Sequence, residues 1–121
     1  MKVVPLYTTT GEPAAYLAYP HIYNSLGEWI GFCTRERETY SVLGNYVGYL
    51  SEDQRILRQR SGSLLRQRIQ PPARPPRLIP PAMTPLAPMM RELTQSTVDV
   101  LLEEPDRLHT ADMGELRADL E

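Results

Sequence analysis

One short phrase limits what this chain can fold into. Tyr-x3-Gly-x3-[Ala/Gly]-[Tyr/Phe] occurs at Tyr7, Gly11, Ala15 and Tyr16, at Tyr23, Gly27, Gly31 and Phe32, and at Tyr40, Gly44, Gly48 and Tyr49. A fourth, degenerate copy puts Arg58, Gly62, Arg66 and Gln67 at the same positions. The lead glycines stand 16, 17 and 18 residues apart. That period is too short for a helix pair and suits a two-stranded hairpin with its connection. Each lead glycine (TTGE, SLGE, VLGN, RSGS) stands between segments of alternating pattern and so suits a turn position of positive φ.

The intervening links YPH, RERE and SEDQ are polar or contain proline and read as the opposite turns. The pattern therefore predicts a mainly β fold. It has about four hairpin repeats in a small pseudo-symmetric barrel- or flower-like meander, followed by a proline-rich arm and a short helical C-terminal segment. The expected strands are residues 2–8, 13–18, 21–25, 28–34, 38–42, 45–50, 54–59 and 63–69. Strand alternation sets Trp29, Gly31 and Cys33 on one face, and Ile30 and Phe32 on the other. The second small residue of each copy, Ala15, Gly31 or Gly48, is expected to admit a close approach at a crowded centre. The leading tyrosines are expected to pack as structural residues, with a ring-lined binding surface as the other reading.

The stretches PLYTTTGEPAAYL, IYNSLGEWIGF, TYSVLGNYVGYL and the weaker RQRSGSLL resemble the bacterial 4-fold beta flower family over residues 4–69. In that family, hairpin repeats are arranged like petals around a centre. The resemblance implies a fold and an interaction role, and it brings no catalytic residues with it. In the fourth copy Arg66 takes the small position and Gln67 the aromatic one, so that repeat departs from the pattern.

Composition divides the 121 residues. All nine aromatics fall in the first 49 residues, and eight of the twelve prolines lie between Pro71 and Pro88. Seven arginines and no acid lie between Gln54 and Arg77, whereas nine acids against Arg107 and Arg117 lie between Glu92 and Glu121. These shifts mark a hairpin-repeat domain at 1–69, an arm at 70–88 and an acidic, mostly helical segment at 89–121. Proline restricts itself and its predecessor and removes an amide donor, so the arm should run as broken polyproline II. Pro72-Ala73-Arg74-Pro75-Pro76-Arg77 also fits a PxxPxR ligand, although a spacer or packing arm is the simpler reading. Leu78, Ile79, Met83, Leu86, Met89 and Met90 imply that the arm lies against something, with a neighbouring subunit as the natural candidate. Beyond it, Met90, Leu93, Thr97, Val100 and Leu101 carry helical spacing, predicting a helix ended by Pro105; a strand at Ser96–Leu102 is the alternative. Thr110 is placed to cap a final short acidic helical segment.

No catalytic, cofactor-binding or metal-ligating set stands out. Cys33 is the single cysteine and reads as a small buried apolar residue. His21 and His109 are the two histidines and lie in separate segments, without a second ligand at helical spacing. His109, Asp106, Asp112, Ser96 and Thr110 allow a hydrolytic triad to be drawn, but nothing in the spacing joins them. Glu103 and Glu104 are adjacent and point apart on a helix.

The reading is a non-enzymatic, self-assembling interaction module: a homo-oligomer whose arm and tail dock a subunit or a protein partner. One alternative is a nucleic-acid-associated accessory protein using Arg55, Arg58, Arg60, Arg66 and Arg68 on phosphates. Against it, the arginine stretch has no aromatic to stack on a base, so pairing with the acidic segment is preferred. Another is a small-ligand protein with an aromatic surface at Tyr19, His21 and Trp29. Neither a bilayer-length apolar run nor a secretory signal is recognisable, so the expected location is the cytoplasm without membrane contact.

Overall fold

The computed structural model describes residues 2–61 and 66–111. Eight antiparallel strands form one curled, half-barrel sheet in simple chain order. They are β1 (Val4–Tyr7), β2 (Pro13–Ala18), β3 (His21–Asn24), β4 (Trp29–Cys33), β5 (Glu38–Ser41), β6 (Tyr46–Leu50), β7 (Ile56–Gln59) and β8 (Thr97–Asp99). A short helix α1 (Val100–Glu103) and a 3-10 turn, Pro105–Arg107, follow. Among the described residues no helix is long and apolar enough to cross a membrane.

The lead glycines do what their turns require. Gly11, Gly27 and Gly44 have φ of +87, +84 and +87°, in the left-handed region where a Cβ is unfavourable. In each hairpin the glycine N–H donates back to the residue three before it: Thr8 at 2.9 Å, Asn24 at 3.0 Å and Ser41 at 2.9 Å. The ladder shifts register beside the tyrosines, between Leu6 and Tyr7, Ile22 and Tyr23, and Thr39 and Tyr40. The shift leaves Ala14, Ile30 and Val47 as extra residues on the partner strands, each a β-bulge immediately before the second small residue of its copy. Gly62 falls among residues 62–65, outside the described residues.

The second small residue also behaves as expected. A Cβ on Gly31 would meet the Tyr40 carbonyl oxygen and lie 2.8 Å from Leu108 Cδ2, and one on Gly48 would lie 3.1 Å from the Leu57 carbonyl carbon. Neighbouring backbone therefore occupies the space a side chain would need. Ala15, the equivalent residue of the first copy, is completely buried.

Three expectations are corrected. The eighth strand is Thr97–Asp99, paired to β7 through Leu57–Asp99, Arg58–Val98 and Gln59–Thr97. Residues 66–69 lie outside any strand, and the rest of the expected 63–69 strand falls outside the described residues. The four-turn helix expected through Met90–Leu101 is reduced to Val100–Glu103. β7 would otherwise leave an edge of unpaired amides and carbonyls, and β-branched Thr97 and Val98 suit that edge better than a helix. Finally, Ile30 packs with Cys33, and Trp29 with Phe32, in place of the expected alternation. Val47 and Leu50 repeat this three-residue step. The register skips Ile30 and Val47, and each such bulge inserts one extra residue, so side chains three apart come to share a layer.

Two cores result. One gathers Leu6, Ala15, Ile22, Ile30, Val47, Ile56 and Val100 with Cys33. The other is aromatic, with Tyr16, Tyr23, Trp29, Phe32 and Tyr40 closed over by Leu78 of the arm. The sheet curls until its ends meet: the Tyr7 N–H donates to the Gln54 carbonyl at 2.8 Å, and the Thr9 N–H and hydroxyl donate to Asp99 Oδ2 at 2.7 and 2.6 Å. A segment remote in sequence thus completes the fourth repeat and sits beside the first.

Candidate interaction site

The arm travels backward around the sheet, past the third hairpin, then the second, then the first. At the third, the Ile69 N–H donates to the Gly44 carbonyl at 3.0 Å, and the Arg68 guanidinium donates to the Leu43 carbonyl. At the second, the Leu78 N–H donates to the Gly27 carbonyl at 2.9 Å. There the Arg77 guanidinium reaches the Leu26 carbonyl with Nη2 at 2.8 Å and Nε at 3.2 Å. The same two-point clamp is therefore built twice: arginine holds the carbonyl before the glycine, and the next amide holds the glycine itself.

This clamp gives the lead glycines a second reason to lack a side chain. A Cβ on Gly27 would overlap the Leu78 carbonyl oxygen, and one on Gly44 the Ile69 carbonyl oxygen. The sequence carries a matching signal in RIQPPARPP and RLIPPAMTP, a nine-residue recurrence of Arg-[Ile/Leu]-x-Pro-Pro-Ala starting at Arg68 and Arg77. It has neither strand nor helix period, so a reading built on those periods passes over it. Arg77 is also the cation of the PxxPxR motif, and here its guanidinium holds the Leu26 turn. Past the second clamp, the Tyr7 hydroxyl donates to the Pro85 carbonyl at 2.6 Å.

The five arginines considered for phosphate contact all have internal partners. Arg55 is 1 % exposed, forms a 2.6 Å ion pair with Asp53 and donates to the Arg91 carbonyl at 2.8 Å. Arg58 grips both oxygens of Glu104 at 2.9 Å, and Arg60 lies 3.7 Å from Glu103 and donates to the Gln95 carbonyl at 2.9 Å. Arg66 pairs with Glu38 and lies 4.2 Å over the Tyr46 ring, and Arg68 holds Leu43 as described. Two of these pairs, Arg58–Glu104 and Arg60–Glu103, join the basic stretch to the acidic segment, as the separated charges led one to expect.

The ion pairs shift their carboxylates. Burial pushes the Asp53 carboxyl up, but hydrogen bonds from Arg55, Ser51 and the Arg91 amide together outweigh it and hold the group down at about 2. Hydrogen bonds from Arg58 and Arg107 hold Glu104 at about 2. Burial pushes the Cys33 thiol up to about 11, against a smaller lowering by Arg37.

Of Tyr19, His21 and Trp29, the structure brings the last two into ring contact. Tyr19 is exposed, Trp29 is buried, and the His21 ring meets Trp29 edge-on with centroids 5.9 Å apart. Burial lowers the His21 pKa, and His21 Nδ1 and Trp29 Nε1 are both buried without a hydrogen-bond partner. The larger concavity, about 860 Å³, lies elsewhere, between Glu36–Arg37, Ser51–Asp53 and the Pro88–Thr94 stretch. A smaller polar one, about 230 Å³, contains Ser41, Asn45, Asp106 and His109. Of the paper triad, the Ser96 hydroxyl bonds Thr94, His109 Nδ1 lies 3.0 Å from the Thr110 carbonyl, and Asp112 falls outside the described residues, as does the acidic segment that Thr110 was expected to cap. Among the described residues no group of three or more His, Cys, Asp or Glu is placed to hold a metal ion.

The fold and its glycine turns define a β-hairpin-repeat protein with a self-docked arm. The chain matches the family model described as "4-fold beta flower protein" over residues 4–98 and belongs to that family. The match ends within β8, so it includes the arm and the strand that completes the fourth repeat. No curated protein and no solved structure matches the chain.

Proposed function

We propose that this protein is a non-enzymatic interaction module that self-assembles, using the outer side of its docked arm as the subunit contact and the acidic tail as a second one. The observation that carries this is a row of large apolar side chains left in water on a fixed strap. Ile79 is 89 % exposed, Met83 87 %, Leu86 95 % and Met89 98 %. Single exposed apolar residues are ordinary, but four large ones within residues 79–89 favour association. The segment is held at its start by the Leu78 bond to Gly27, in its middle by the Tyr7 bond to Pro85 and at its end by the Arg55 bond to Arg91, so less backbone has to be ordered on association, which favours binding.

Light scattering on the full chain at micromolar concentration tests the reading. The expected result is an assembly larger than one chain, reduced to monomer when Ile79, Met83, Leu86 and Met89 are all changed to Ser. A wild-type monomer overturns it.

A further inference from the structure

The two clamps leave one equivalent turn empty. Gly11 has the same left-handed backbone as Gly27 and Gly44, at φ +87°, yet nothing lies within 4 Å of where its Cβ would be. The arm's third unit does not fill it, because Leu86 and Ala87 stand where the first two units have Arg-Ile and Arg-Leu. Leu86 brings no guanidinium to the Thr10 carbonyl. The Tyr7 hydroxyl instead captures the arm at Pro85.

The empty turn is firmly built. The Thr9 amide and hydroxyl are tied to Asp99, Arg55 Nη1 donates to Thr9 Oγ1 at 3.0 Å, and the Thr8 and Thr10 hydroxyls share a 2.6 Å bond. Glu12 follows Gly11 as Glu28 follows Gly27, and it is exposed.

We propose that the Thr10–Gly11 turn is a docking site for a proline-rich segment of another protein carrying Arg-[Ile/Leu]-x-Pro-Pro. Its guanidinium would hold the Thr10 carbonyl, and the following N–H would hold the Gly11 carbonyl. The occupant's chemistry is read from this chain's own segments seated on the two equivalent turns. A second copy is the weaker occupant, since its two units already make these bonds at home and exchange would gain nothing. A polyproline segment is pre-extended and loses little freedom on docking.

The test uses the full chain and a fluorescent synthetic peptide of residues 77–85, Arg-Leu-Ile-Pro-Pro-Ala-Met-Thr-Pro. Fluorescence anisotropy should show saturable binding at one site per chain. It should weaken about fivefold when the peptide arginine becomes alanine, the loss expected of a solvent-exposed guanidinium hydrogen bond. Gly11→Asn keeps a residue that tolerates positive φ but fills the docking space, and it should abolish binding. NMR titration of the wild-type chain locates the site independently of that variant: the Gly11 and Glu12 amides should move. No saturation at millimolar peptide, an arginine-free peptide that binds equally, or shifts confined to Gly27 and Gly44 would each overturn the proposal. The self-assembly reading rests on the arm's outer face and is decided separately by light scattering.

Discussion

Replacing Gly27 by Asn tests the clamp most directly. Asparagine adopts left-handed backbone more readily than other side chains, so the turn itself should survive. The new Cβ would lie 3.0 Å from the Leu78 carbonyl carbon and overlap its oxygen, forcing the arm away. Three contributions are then lost. The Leu78 N–H bond contributes about 1 kcal/mol net, and the exposed Arg77 bonds contribute about 1 more. Re-exposing Leu78, now 8 % exposed against the aromatic core, costs about 1.5 kcal/mol or more. Opening of the arm should therefore become easier by roughly 3.5 kcal/mol, or a few hundredfold.

Trypsin reads this out. The Arg77–Leu78 bond is cleavable in principle, whereas Arg74 precedes a proline that blocks cleavage. In the wild type the Arg77 side chain is held on Leu26, so cleavage there needs local opening and its rate follows the open fraction. Mass spectrometry should show Arg77–Leu78 cleavage accelerated roughly a few hundredfold in Gly27→Asn. Gly11→Asn, whose Cβ would meet nothing within 4 Å, should leave both cleavage and melting nearly unchanged. Equal effects of the two substitutions, or an unchanged cleavage rate in a folded Gly27→Asn variant, would refute the reasoning.

Two further outcomes follow from the ion pairs and the returning strand. Asp53 and Glu104 titrate at about 2 in the fold against ordinary values of 3.8 and 4.5, so the unfolded chain takes up their protons first. Their stabilisation is present in full above about pH 5 and fades as pH falls toward 2; a urea midpoint that is flat from pH 6 to 3 would contradict this. A chain ending at residue 90 lacks β8 and α1, so it exposes the β7 edge and the core around Ile56. It should lose cooperative melting and aggregate, and a sharp, reversible transition in that truncation would show that β8 is dispensable.

The first three hairpins were legible because their information is local. A left-handed glycine, its preceding polar residues and the flanking alternation all lie within about a dozen residues, so the turn chemistry at Gly11, Gly27 and Gly44 can be read directly. The pairing of the basic stretch with the acidic segment was also readable, since charge separation along the chain predicts attraction. The partners were not, because Arg58 finds Glu104 only after the arm has carried residue 104 back to β7.

The eighth strand and the clamps needed the tertiary structure. Thr97–Asp99 carries a helical spacing with its neighbours, and local preference alone did not decide between helix and strand. The unpaired edge of β7 decided it, through amides and carbonyls that must find partners. The clamps are hidden for a related reason: arginine and amide donors meet backbone carbonyls, and a carbonyl belongs to every residue and leaves no mark in the sequence. The sequence by itself determined the repeated turn and its glycine. Only the folded chain decided which glycines would be covered, because that depends on where the arm's two Arg-[Ile/Leu] units arrive as it returns around the sheet.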